Sequence, residues 1–217
     1  MTESNPRVAL PVGELLGKAW AIFSGNVAPF LGGVVITGII VALGNQLLYI
    51  VGSLLAGPLA LGLYKMALDA LRGRTPILSD LFVAFQDPNL FIMALLVNVL
   101  VSLFSLIGFI LLIVPGILVA ALYLPTFCVL VDDKSDFWTA METSRKMVMD
   151  NFGAWVIFTL ALIGVNLVGF LLLIVGLLVT MPVSIIAVAE AYRRQRGDTV
   201  TVAAQGVDTA PPPPPGE

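Results

Sequence analysis

Three stretches of this chain carry no charge at all: Ala19 to Tyr64, Pro88 to Val131 and Asn151 to Ala189, which are 46, 44 and 39 residues long. A helix crosses roughly 30 Å of hydrocarbon in about 20 apolar residues, so each stretch is long enough to cross a bilayer, turn and come back. Backbone groups that cannot reach water must be satisfied within the segment, which makes the α-helix the form such a stretch takes in lipid. The expectation is an all-α membrane protein with six transmembrane helices in three helical hairpins. A soluble bundle would need polar outer faces at the helical period. With 59% hydrophobic residues, 12% charged residues and a mean hydropathy of +1.01, the chain lacks the polar residues to build them.

The three stretches share a register. Asn26 to Gly44 is 18 residues, Asn89 to Gly108 is 19 and Asn151 to Gly169 is 18; a second glycine follows at Gly52, Gly116 and Gly176, after 8, 8 and 7 residues. The strings GFILLIV (108 to 114) and GFLLLIV (169 to 175) therefore read as equivalent hairpin tips within a threefold repeat of units at about 12–74, 75–132 and 133–197. Pro115-Gly116 is the competing turn for the middle unit. A proline falls in each return helix, at Pro58, Pro125 and Pro182. These are expected kinks, which either open a cavity or splay each hairpin so that three can pack.

Each hairpin is preceded by an amphipathic stretch. In residues 76 to 87, Leu78, Leu81, Phe82 and Phe85 follow the i, i+3, i+4, i+7 pattern, with Thr75 and Pro76 suited to a helix start. In residues 135 to 151, Phe137, Met141, Ser144 and Val148 share a side, Ser135 or Asp136 can cap, and Glu142 can pair with Lys146. Leu15, Leu16, Ala19, Trp20 and Phe23 repeat the pattern, with Glu14 four residues before Lys18. Such helices either lie against the headgroups as a partner-binding collar or set the angle at which the next span approaches the membrane.

All eleven Lys and Arg residues fall before, between or after the hairpins on one side, so the positive-inside rule predicts a multi-pass protein of the inner (cytoplasmic) membrane with both termini cytoplasmic. The amphipathic helices are then on the cytoplasmic side. The N-terminal polar segment, residues 1–11, lacks the features of a signal peptide. Residues 198–217, ending in five consecutive prolines and Gly-Glu, read as a disordered proline-rich tail that either solubilises or docks a proline-recognition module. A net charge of -3 argues against nucleic acid as a partner.

No enzyme is expected. The chain has no histidine and a single cysteine, Cys128, which excludes Ser-His-Asp triads, Cys-His pairs and an internal disulfide. No catalytic residue, cofactor or metal site is assigned: Asp132 and Asp133, beside Lys134, read as a solvated loop, and Glu190, near Arg193 and Arg194, as an interfacial ion pair. The polar residues at membrane depth are neutral. Asn98, Ser102 and Ser105 recur at helical spacing, Asn166 sits within the fifth span, and Asn45 and Gln46 lie near the first tip. They either line a path for a neutral or amphipathic solute or bond and pack neighbouring helices together.

The segments GPLALGLYKMALDALRGRTPILSDLF (57 to 82) and YLPTFCVLVDDKSDFWTAMETSRKMVMDNF (123 to 152) resemble a widespread family of uncharacterised six-helix bacterial integral membrane proteins. Some of that family are related to the membrane domain fused to certain glycerophosphodiester phosphodiesterases. The resemblance rests on Pro58 with Gly62, on Gly73 before Ser79-x-Leu81, and on the Ala140, Ser144, Asn151 series, and it covers most of residues 12–197. It implies a fold and a membrane, and no catalysis. The expected role is a non-catalytic accessory, scaffold or regulatory component that meets the lipid bilayer and, at its cytoplasmic face, a protein partner. The alternative is a small permease for neutral or amphipathic solutes. Charged solutes would need a charged or backbone-lined site, and parallel repeats give no support to inverted-repeat alternating access.

Overall fold

A computed structural model describes residues 9–47, 49–111, 113–172 and 175–197. The readings that concern residues 1–8 and the tail after 197 lie outside the described residues. The described chain is helical and contains six helices long and apolar enough to cross a membrane, which makes it an all-α membrane fold. Helix α1 (Val12–Gly25) precedes the hairpin of α2 (Val27–Leu47) and α3 (Tyr49–Leu71). A 3₁₀ segment (Leu78–Phe82) and the single turn α4 (Val83–Gln86) precede α5 (Pro88–Leu111), which returns as α6 (Ile113–Tyr123) and α7 (Thr126–Asp133). Helix α8 (Phe137–Asp150) precedes α9 (Phe152–Leu171) and α10 (Val175–Arg196).

The two arms of each hairpin approach each other at the glycines of the shared register. Helix α5 is described to Leu111 and α6 from Ile113, α9 to Leu171 and α10 from Val175, and Pro115-Gly116 sits within α6. At each tip the two glycines face each other with almost no space between backbones. A Cβ on Gly44 would stand 2.8 Å from Gly52 Cα, one on Gly108 would stand 2.9 Å from Gly116 Cα, and one on Gly176 would stand 2.8 Å from Gly169 Cα. Any side chain there would push the two arms apart, so the small residues let dispersion hold the hairpin where hydrophobic driving force is absent.

The first and third hairpins are entered through the same kind of joint. Helices α1 and α8 are both 14 residues long, and each passes to its span through one asparagine, Asn26 (φ -137°, ψ 42°) and Asn151 (φ -137°, ψ 44°). In each case the asparagine N–H donates three residues back, to Phe23 O at 3.0 Å and to Val148 O at 3.1 Å. The middle unit differs. Residues 78–86 form a 3₁₀ segment and one α-turn, Thr75 and Pro76 precede it as coil, and Ile77 occupies the cap position. Leu81 and Ala84 are buried, while Leu78, Phe82 and Phe85 are exposed, because a 3₁₀ spiral turns three residues per turn and rotates the expected α-face outward.

The three prolines divide. Pro125 interrupts its span between α6 and α7, whereas Pro58 and Pro182 lie inside continuous helices. The break frees carbonyls at the end of α6, and Ser144 of α8 donates its hydroxyl to Leu122 O at 2.8 Å. Asp136 caps α8, accepting from Thr139 N at 3.0 Å. Both long amphipathic helices turn one side to the bundle, through Leu15, Ala19 and Phe23 and through Ala140, Met141, Ser144 and Val148. Trp20 and Trp138 are exposed on these same helices and, with Phe82, Phe85 and Phe152, mark one end of the bundle. Aromatic side chains at such positions suit the lipid–water boundary.

Helices α3 and α10 form the centre: 56% of the span residues in each are buried, against 11% for α5. The C-terminal turns of α10 gather the charged end of the bundle. Glu190 accepts from Lys18 of α1 at 2.8 Å and from Arg194 at 3.0 Å, and Arg194 also reaches Glu14 at 3.0 Å. Arg193 donates to Leu71 O of α3, Arg196 grips Asp133 of α7 at 2.7 Å, and Gln195 accepts from Trp155 Nε1 while donating to Met147 O. Glu14 and Lys18 thus pair across helices, with Arg194 and Glu190, and not with each other along α1. Asp132 and Asp133 close α7 with ion pairs, Asp132 to Arg72 of the α3 end at 2.6 Å and the exposed Asp133 to Arg196 of α10 at 2.7 Å.

Candidate functional site

The opposite half of the bundle carries an open cavity of about 780 Å³. Its walls come from all three hairpins: Val34, Thr37 and Val41 of α2, Leu63 and Tyr64 of α3, Val101 and Ser105 of α5, Ala120 and Tyr123 of α6, Asn166 of α9, and Met181 and Ser184 of α10. The solid half, nearer the charges, is filled by fully buried side chains such as Met66, Leu130, Trp155, Phe158 and Ile186. The cavity lies within the size range of small-molecule sites and has their usual make-up, mostly apolar with a few placed polar groups. Among the described residues, no Asp, Glu, Lys or Arg lines it.

The structure separates the four polar residues named from the sequence. Asn166 and Ser105 line the cavity. Asn166 donates to Leu162 O at 2.9 Å and to Ser184 Oγ at 2.7 Å, which joins α9 to α10 at the cavity wall. Asn98 is elsewhere: its Nδ2 donates to Ser53 O at 3.0 Å, and its Cβ would meet a Cβ on Gly57 at 2.5 Å, so it clamps α5 to α3. Ser102 is exposed on the outer side of α5. Asn45 packs on Gly52 at the first tip.

Sequence reasoning missed Ser184, Thr37 and Thr159. Ser184 is the hydrogen-bond partner of Asn166, eighteen residues on and across the third hairpin. The hydroxyls of Thr37 and Thr159 are buried without a hydrogen-bond partner. Threonine is common in apolar helices, where its hydroxyl usually bonds a carbonyl one turn back, so nothing in the local string sets these two apart.

A second recess of about 490 Å³ adjoins the cavity. The two share Tyr64, Ala120, Leu124, Asn166, Ser184 and Ile185 as lining. Thr159, Ile163 and Leu167 of α9 line the recess alone. Chemically, the combined space can hold a neutral molecule, hydrogen-bond it at a few points and keep it from charge. It offers no nucleophile paired with a base and no carboxylate. No protein family, curated protein or solved structure matches this chain.

Proposed function

We propose that this integral membrane protein is a non-catalytic permease or binding protein for a neutral or amphipathic solute, held in the cavity between its hairpins. The observation that carries this reading is a space bounded by all three hairpins whose described lining is uncharged, with Asn166 and Ser184 hydrogen-bonded on its wall. Burying an ion in such a site would leave its charge unpaired, so the site favours neutral cargo. The accessory role draws less support. Every described Lys and Arg except Lys134 has a carboxylate of the same chain within 4.0 Å, so the collar is largely neutralised from within.

The chain is read as three parallel copies of one unit, on the strength of the matched Asn26 and Asn151 joints and the three glycine pairs. Its location is the inner membrane with the charged end cytoplasmic, following the basic residues. Proteoliposome uptake of a panel of neutral solutes tests the function. Uptake abolished by Asn166→Leu in a protein that still folds supports it; no uptake of any solute, with a partner trapped by crosslinking through residues 133–150, supports the accessory role instead. Single cysteines at positions 46 and 170, in a Cys128→Ala background, are expected to label from outside the cell, and those at 74 and 134 from inside.

A further inference from the structure

We propose that the natural ligand of this cavity is an uncharged lipid bearing a hydroxyl or carbonyl oxygen, admitted sideways from the bilayer through the recess beside α9. This inference rests on the cavity reading above and names the ligand and its route. The recess and the cavity meet at Asn166 and Ser184, which line both. On the recess side, Ile163 and Leu167 are 45% and 57% exposed on the surface of an apolar span, where the neighbour is hydrocarbon. The opening therefore faces lipid, not water.

Two hydroxyls along this route, those of Thr159 and Thr37, lack partners that a lipid oxygen would supply. Thr159 is only 4% exposed, lines the recess, and its hydroxyl has no hydrogen-bond partner. The Thr37 hydroxyl, on the cavity wall formed by α2, is likewise unpartnered. A buried hydroxyl without a partner is costly, and in hydrocarbon there is no bulk water to relieve it. Thr159 and Asn166 are seven residues apart, so they stand on one face of α9 about 10 Å apart. A chain lying along that face would present oxygen to Thr159 and bury its tail among the apolar walls. Arrival from the charged end is blocked by the ties that Arg193, Gln195 and Arg196 make from α10 to α3, α8, α9 and α7.

The test uses the full chain in lipid nanodiscs with a trace of hexadecanol carrying a diazirine and an alkyne, and the same tags on phosphatidylcholine as a comparison. Light-driven labelling by the alcohol is expected to concentrate on residues 159–167 and 120–124. It is expected to fall at least tenfold in Ala120→Phe, which fills the shared wall, and several-fold in Thr159→Val. Labelling by phosphatidylcholine should not change. Leu167→Trp, on the lipid-exposed rim where folding is undisturbed, provides a second block with the same expected loss. Equal labelling by both probes, or labelling indifferent to these variants, overturns the proposal. Uptake of a water-soluble neutral solute that persists without selective labelling overturns the lipid assignment while leaving the cavity reading intact.

Discussion

Lys18, on the first helix, meets Glu190, on the last, at 2.8 Å across 172 positions of sequence. The Glu190 side chain is 2% exposed and also holds Arg194 at 3.0 Å, with Arg193 at 3.9 Å, so this carboxylate anchors three cations from two helices.

Glu190→Ala leaves those cations without their buried partner. Breaking a buried ion pair from one side costs about 3–5 kcal/mol, and because Lys18 is 43% exposed, a loss near the lower end is expected. Thermal unfolding in detergent measures it. A variant as stable as the parent would show that the cluster does not hold α1 to α10.

The glycine pairs predict a sharp positional contrast. Gly44→Val and Gly108→Val place atoms against the backbone of the opposite arm, and overpacking of this kind costs about 1–3 kcal/mol or more. Gly164→Ala, where an added Cβ meets nothing within 4 Å, is expected to be neutral or slightly stabilising. Melting temperatures of the three variants in one detergent decide the matter.

Asn98 and Asn166 are expected to fail in different assays. Asn98→Leu removes a bond between helices, worth about 1 kcal/mol in a membrane setting, and lowers stability while leaving uptake per folded molecule unchanged. Asn166→Leu alters the cavity wall and reduces uptake. A uniform loss of uptake in both would reassign Asn98 to the solute path.

Glu142 gives the charged end an acid limb. It accepts two hydrogen bonds from Arg145, both at 2.8 Å, and faces Lys146 at 3.4 Å. The hydrogen bonds from Arg145, above all, hold its carboxyl down at about 2. An unfolded chain titrates near about 4.3, so the folded state binds fewer protons, and the stability contributed is complete above that value and lost as pH falls toward 2. Asp136 is shifted in the same direction, chiefly by the Thr139 hydroxyl. Glu142→Gln should flatten the melting-temperature profile between about pH 5 and 2 relative to the parent; parallel profiles would contradict the assignment.

The spans and the glycine pairs between their arms were legible because lipid imposes one rule on every residue of a segment: uncharged runs must be helical, and close arms need glycine. The Asp136 cap was legible because its partner is three residues away. The pairing of Glu14 and Lys18 was not. Local spacing offers i, i+4, while the fold supplies Arg194 and Glu190 in better positions. Asn98, Ser102 and Ser105 show the same limit within one helix. At about 100° per residue, Ser102 lies roughly 40° away from Asn98, enough to move from the α3 contact to the outer surface. Ser105, two turns on, finds the cavity because the bundle opens at that height.

The ties made by α10 also impose an order on biogenesis. When the first hairpin leaves the ribosome, the residues that will hold Glu14, Lys18 and the Leu71 carbonyl have not been translated; at about 5–20 residues per second they arrive roughly 6–24 s later. Until then the first two hairpins, which Asn98 and the Arg72–Asp132 pair can already join, must sit in the bilayer without the ties from α10. The nascent protein becomes a single body only when its final helix is delivered.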